Sequence, residues 1–289
     1  MDLNVTTETP TGKRSWTQED LEEDRQSSKP ILFIYGDKGD GKTVVALGKS
    51  MLGDTVYSLS FDAMTGENIA DPKLFSDSKL LHNWDVNKKL VKYPPEGWAQ
   101  SAHDTFDFAH AVLDLIEKEH AGNVDWLLLD GWDGYKEICA MRAKHRYKIQ
   151  YDKNVPEDNK AFWSVRNVLL DSVPSRMQQL ANKGVLVTSY IYRAKKIVDG
   201  VVVATKELPS WAGKIMTHSQ LKLLVDKRGF GDNRVYRVLV DSPKGVLNGM
   251  FQDGYWYNVT GMDNLKLFWE GNGVLYEDKT RPVPNISMS

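Results

Sequence analysis

Gly36-Asp37-Lys38-Gly39-Asp40-Gly41-Lys42-Thr43 sets its glycines, a lysine and a hydroxyl in the spacing G-x-x-x-x-G-K-[ST]. Glycines at those positions let backbone N–H groups turn inward onto an anion. A helix starting at Lys42 would add the positive end of its dipole. Lys42 would then reach the β- and γ-phosphates, and the Thr43 hydroxyl would help hold Mg²⁺. The octapeptide thus predicts a site for a nucleoside triphosphate, with Gly36 to Thr43 as the cradle. A second piece of the same chemistry is the run Val124-Asp125-Trp126-Leu127-Leu128-Leu129-Asp130, a buried strand ending in a carboxylate. Asp130 is the best candidate to orient the metal across from Thr43. Many strands end in Asp, so Asp130 gains its meaning from the octapeptide.

The elements around the octapeptide are those the chemistry needs. Ile31 to Tyr35 reads as a buried strand, and Lys42 to Met51 as a helix with Val44, Val45, Ala46 and Leu47 available for packing. Short apolar runs then alternate with longer amphipathic ones. Strands are expected at 55–61, 124–129 and 185–192, with a further one at 89–93. Helices are expected at 101–119, at about 134–150, and at about 160–182 with a break near Pro174. Ser101 is the expected N-cap of the first of these, with Asp104 three residues on. This alternation predicts an α/β fold with a mostly parallel sheet covered by helices.

After Tyr192 the pattern changes to hairpins. Asp199-Gly200 separates two short apolar runs, and Leu221–Val225 and Val235–Val240 flank a turn at 227–233. Residues 1–29 read as a polar arm, 30–244 as the core, and 245–289 as an extension of short strands and loops with no helix expected.

A chain of 289 residues with 41% hydrophobic content can build a sizeable core. Its net charge of −2 gives no global attraction for polyanions, so any nucleic-acid surface must be a local patch. The single cysteine, Cys139, excludes a disulfide framework and a cysteine metal site. His82, His103, His110, His120 and His218 show no metal-ligand spacing, so no metal beyond Mg²⁺ is expected. No apolar stretch is long enough to span a bilayer. The polar, acidic N-terminus does not read as a secretion signal, and a soluble intracellular protein is expected.

Between Thr43 and Asp130 lies the strand 55–61 with its own crossover. The Asp130 strand is therefore expected to be separated from the octapeptide's strand by an inserted one. From about Ile31 to Val240 the chain resembles a RecA/DnaB-type P-loop ATPase core, particularly the RecA-like ATPases that viruses encode for single-strand annealing and recombination. Besides the two runs above, Tyr57 to Asp62 resembles the strand end where that family places its catalytic glutamate. Val185 to Tyr190 resembles the strand whose polar tip senses the γ-phosphate. Val225 to Gly231 resembles the hairpin that sends Lys or Arg into a neighbouring subunit's site.

The resemblance implies ATP as the nucleotide, with Lys42, Asp62, Asp130 and Ser189 acting in cis and Lys227 or Arg228 in trans. It implies a homo-oligomer, with a hexameric ring as one form, working in the cytoplasm, the host's if the chain is viral. Two departures bear on turnover. Asp62 is one methylene shorter than the family's glutamate, with Glu67 a few residues on as the other carboxylate, and Thr188, Ser189 and Tyr190 stand where Gln or His is common.

Two basic stretches occupy positions where the family faces DNA. Arg142, Lys144, His145, Arg146 and Lys148 interleave with Tyr147 and Tyr151, and Arg193, Lys195, Lys196 and Lys206 surround the first hairpin. Both could equally be solvated charged faces. Trp163 and Trp211 could stack bases or pack in the core. The leading expectation is a DNA-acting Mg²⁺-ATPase of recombination, single-strand annealing or replication, with single-stranded DNA as partner. The alternatives are a DNA-packaging or translocating motor, and a slow nucleotide-dependent binding or regulatory module.

Overall fold

The computed structural model describes residues 6–9, 12–15, 29–62, 78–87, 97–151, 160–198, 201–209, 219–241 and 243–276. Two short strands, β1 (Thr6–Thr9) and β2 (Gly12–Ser15), pair with each other. The main sheet is built from β3 (Ile31–Gly36), β4 (Val56–Ser60), β5 (Leu81–Asp85), β6 (Trp126–Asp130), β7 (Gly184–Val198) and β9 (Leu221–Arg228), all parallel. Antiparallel additions follow: β8 (Val201–Pro209) on β7, then β10 (Val235–Asp241), β11 (Trp256–Asn258) and β12 (Val274–Leu275) beyond β9.

The order across the sheet is β12-β11-β10-β9-β3-β7-β6-β4-β5. The octapeptide's strand β3 and the Asp130 strand β6 are thus separated by one strand, as expected of a RecA-like core. The separating strand is β7, which comes later in the chain; β4 lies on the far side of β6. Strand 55–61 had suggested the separation for a topologically different reason. Side-chain patterning shows that a strand is buried and leaves its neighbours unspecified.

Strand residues alternate between two cores. Phe33, Tyr35, Leu127, Leu129, Val185 and Val187 face one side. There they meet α2 (Trp98–His120), α3 (Trp132–Tyr151) and α4 (Lys160–Leu180). Leu32, Ile34, Leu128, Leu186 and Val225 face the other side, covered by α1 (Lys42–Leu47) and α5 (Met262–Trp269). In α2 the buried Ala102, Phe106, Ala109, Leu113 and Ile116 recur at helical spacing.

Several elements differ from the sequence expectation. The helix after Thr43 is α-helical only to Leu47 and continues as a tighter 3₁₀ turn, Gly48–Leu52. The helix expected from Ser101 begins at Trp98 with Gly97 as its N-cap, and Ser101 is buried inside it. Strand β5 was not foreseen, because His82, Asn83 and Asp85 dilute its apolar pattern; the strand expected at 89–93 lies outside the described residues. Helix α4 runs through Pro174 without ending. Near that proline, the Leu169 carbonyl accepts hydrogen bonds from the Tyr135 hydroxyl at 2.5 Å and the Ser172 hydroxyl at 2.7 Å. Within 245–276 a helix does form, α5, whose Leu265, Phe268 and Trp269 complete the second core. Its few residues, set among glycines and asparagines, gave too short a periodic signal to read.

Candidate functional site

The carboxyl ends of β3, β6 and β4 lie beside residues 187–190 of β7, a strand that itself runs on to Val198, so the residues there share one crevice. Gly36 pairs with Tyr190 and Ser60 with Asp130, while Ile34 pairs with Thr188. Gly36 also stands beside β9, where a Cβ would lie 2.4 Å from the Val225 carbonyl oxygen, so the loop must start with glycine. Gly39 and Gly41 have φ of 81° and 90°, the left-handed region that favours glycine and turns the loop into α1. The loop is braced from within, since the Asp37 N–H donates to the Asp40 carboxylate at 2.8 Å. Burial pushes the Asp40 carboxyl above its usual range, against the pull of that hydrogen bond and of Lys227.

Lys42 is buried and folded back on its own loop. Its ammonium donates to the Gly36 carbonyl at 3.1 Å and the Asp37 carbonyl at 2.7 Å, and lies 4.3 Å from the centre of the Tyr190 ring. Burial lowers its pKa, and Asp40, Asp130, Asp62 and Asp133 oppose that shift. Opposite, the Thr43 hydroxyl donates to Asp130 at 3.1 Å, and the Thr188 hydroxyl donates to the same carboxylate. Thr188 in turn accepts the Gly131 N–H at 2.9 Å, which locks the end of β6 to β7. Thr43 and Asp130 therefore present hard oxygen atoms face to face, the donor type Mg²⁺ prefers.

Asp62 follows β4 and lines the same crevice. The Tyr190 hydroxyl donates a short hydrogen bond to its carboxylate. Burial raises the Tyr190 pKa first and the bond to Asp62 second, so the phenol stays protonated and remains the donor. Tyr190 is anchored in turn by Asp133, which accepts the Tyr190 N–H at 2.8 Å and the Ser189 hydroxyl at 3.1 Å. Ser189 is thus tied to Asp133, and the side chain that reaches Asp62 and Lys42 is Tyr190. The sequence reading put Ser189 in cis, with Thr188 and Tyr190 as the other polar residues of this stretch of β7. Asp133 went unnoticed because an acidic residue in a first helical turn has a common structural role. The crevice has a volume of about 720 Å³ and reaches from Asp62 past the loop to α5.

A comparison with solved structures finds a KaiC-like protein of the archaeon Pyrococcus horikoshii OT3. It is 12% identical with TM-score 0.45, covering 86% of this chain and 90% of that one. It also finds the flagellar accessory protein FlaH of Methanocaldococcus jannaschii, 14% identical with TM-score 0.39, covering 91% and 97%. No protein-family model matches the chain, and no curated protein matches it by sequence. The strand order and the position of the loop give the mostly parallel α/β fold independently of these similarities.

The remaining sequence candidates divide. Lys227 reaches the loop of its own chain: its ammonium lies 3.3 Å from the Gly39 carbonyl and 3.7 Å from the Asp40 carboxylate. Arg228 is paired with Asp226 at 3.0 Å at the start of the turn. Arg142 is turned inward, 8% exposed, with its guanidinium 2.5 Å from Asp107 and over the Phe106 ring. Lys144 and Arg146 are exposed on α3. The side chains of Lys148, Arg193, Lys195, Lys196 and Lys206 lie outside the described residues, as do Glu67, Trp211 and His218. Trp163 is partly buried against the core, with the Arg166 guanidinium 4.7 Å above its ring. His103 and His145 contact each other at 2.6 Å between α2 and α3; no metal-holding cluster of His, Cys, Asp or Glu occurs among the described residues. No helix among the described residues is long and apolar enough to cross a membrane.

Proposed function

We propose that the chain is a Mg²⁺-dependent RecA-like ATPase that acts on DNA, with single-stranded DNA as its favoured partner. The observation that carries this reading is the convergence of Lys42, Thr43, Asp130 and Asp62 on one crevice from neighbouring strand ends. Phosphate oxygens would replace the Gly36 and Asp37 carbonyls as partners of Lys42, releasing its ammonium toward the β- and γ-phosphates. Thr43 and Asp130 would hold Mg²⁺, which supplies charge neutralisation at the phosphates when bound. Asp62 would accept the proton of the attacking water, with Tyr190 orienting its carboxylate. Lys227, lying over the loop, would add positive charge near the phosphates.

DNA contacts would come from the exposed Lys144 and Arg146 on α3, with the hairpin of β7 and β8 as a second face. Recombination, annealing or replication in a virus-infected cell follows from the family resemblance. The test is the ATPase rate with and without single-stranded DNA at rising salt. Stimulation that fades with salt is the expected outcome, and an unstimulated rate without salt-sensitive binding removes DNA from the reading.

A specific contact favours a second reading, a slow nucleotide-dependent binding module. Asp62 is short, and in the structure its carboxylate is engaged by Tyr190. Single-turnover measurement separates the two readings, since a module of this kind binds ATP tightly and leaves it intact over minutes.

A further inference from the structure

Beyond its phosphate end the crevice continues between α1 and the C-terminal segment, where Val44, Tyr236, Val259, Gly261, Met262 and Leu265 form its wall. Tyr236 and Lys227 are directly opposite each other on β10 and β9. Both side chains lie over the loop, at different glycines. The Lys227 ammonium is 3.2 Å from where a Cβ of Gly39 would stand, and the Tyr236 ring is 3.5 Å from that of Gly41. One pair of the hairpin therefore offers a charge at the phosphate end and an aromatic ring where the loop enters α1.

Several polar groups of the segments around that ring are paired with one another. The Tyr236 N–H donates to the Thr260 hydroxyl at 2.8 Å, and that hydroxyl donates to the Tyr236 carbonyl at 3.2 Å. The Val259 N–H reaches the same carbonyl at 2.9 Å, and the Thr260 N–H reaches the Asn258 side chain at 2.9 Å. Asn264 donates to the Thr260 carbonyl at 2.8 Å, and the Leu265 N–H to the Gly261 carbonyl at 3.2 Å. The side chains of this wall are one aromatic ring and aliphatic groups, with no amide, carboxylate or guanidinium among them.

We infer that this wall is the nucleobase subsite, that Tyr236 is its stacking platform, and that it does not read base edges. The inference rests on the triphosphate reading of the loop and adds the substrate class: purine nucleoside triphosphates accepted with little discrimination. Sites that hydrogen-bond a substrate group reject analogues lacking it by about 10⁴–10⁵-fold, whereas apolar pockets discriminate by roughly 10–200-fold. Stacking on an aromatic ring is tolerant of base identity because every base has a π-face.

The test measures binding of ATP, GTP and inorganic tripolyphosphate, each with Mg²⁺, to the wild type, Tyr236→Ala and Tyr236→Phe. ATP and GTP should bind the wild type within about 200-fold of each other. Tyr236→Ala should weaken both nucleotides by roughly tenfold or more, leave tripolyphosphate unchanged, and Tyr236→Phe should match the wild type. A preference above about 1000-fold for one purine, or nucleotide binding unaffected by Tyr236→Ala, overturns the inference. The wild-type comparison stands even if the alanine variant misfolds. Failure of the folded wild type to bind tripolyphosphate and both nucleotides would remove the phosphate-loop reading itself, and the subsite with it.

Discussion

Tyr190 joins the two halves of the crevice, with its ring against the Lys42 ammonium and its hydroxyl on Asp62. The hydroxyl's hydrogen bond holds the Asp62 carboxylate in one orientation at the crevice. Tyr190→Phe should therefore lower turnover a few-fold with nucleotide affinity unchanged, measured as kcat against Kd. A rise in kcat would show that the tyrosine restrains Asp62 and does not position it for the reaction. Asp62→Asn should lower kcat by about 10²–10⁴-fold, the usual contribution of a general base, while binding persists. Unaltered turnover would transfer the role to another carboxylate.

At the scale of elements, the P-loop helix is secured by the C-terminal segment. The Trp269 indole N–H donates to the Val45 carbonyl at 2.8 Å, and Lys49 is enclosed between the Trp269 and Trp126 rings at 4.2 and 4.9 Å. Burial lowers the Lys49 pKa to about 8 from 10.5, with Asp54 opposing the shift. Between these values the unfolded chain keeps a proton that the folded chain releases, so this group makes stability rise with pH. Below pH 8 both states are charged, and the fold bears the full cost of burying the ammonium. Lys49→Met should abolish that slope. Urea unfolding at pH 7.5 and 9.5 should show the wild type gaining roughly 2 kcal/mol on the variant over that interval. A constant difference between the two proteins would mean that Lys49 keeps its charge.

For the whole molecule, the position of Lys227 bears on assembly. The family resemblance implies a residue delivered to a neighbouring subunit, whereas here its ammonium lies against Gly39 and Asp40 of the same chain. The more distal Phe230, 92% exposed between Gly229 and Gly231, is the part of the hairpin that projects outward. Lys42→Ala should abolish nucleotide binding and Lys227→Ala should weaken turnover. Mixing the two variants should restore no activity, because both defects fall within one subunit's site. Recovered ATPase on mixing would place Lys227 in trans. Size-exclusion mass with and without ATP and single-stranded DNA reports the assembly itself.

The local half of this protein was legible in its sequence. The spacing from Gly36 to Thr43 dictates a loop whose backbone can face an anion, and the apolar run before Asp130 dictates a buried strand. Both depend on contacts within a few residues of chain. Periodicity also revealed the alternation of strands and helices, and hence the class of fold. The rest required distant parts of the chain to meet. Nothing in the local pattern says that β7 inserts between β3 and β6, and that pairing alone brings Thr188 and Tyr190 to Asp130 and Asp62. Arg142 reads as a surface cation until Asp107 and Phe106 of another helix enclose it. Tyr236 and Lys227 become neighbours of the loop only because β9 packs beside β3. Sequence spacing records what one segment can do; which segments share a crevice is decided by strand order, a long-range property written in the packing of both sheet faces.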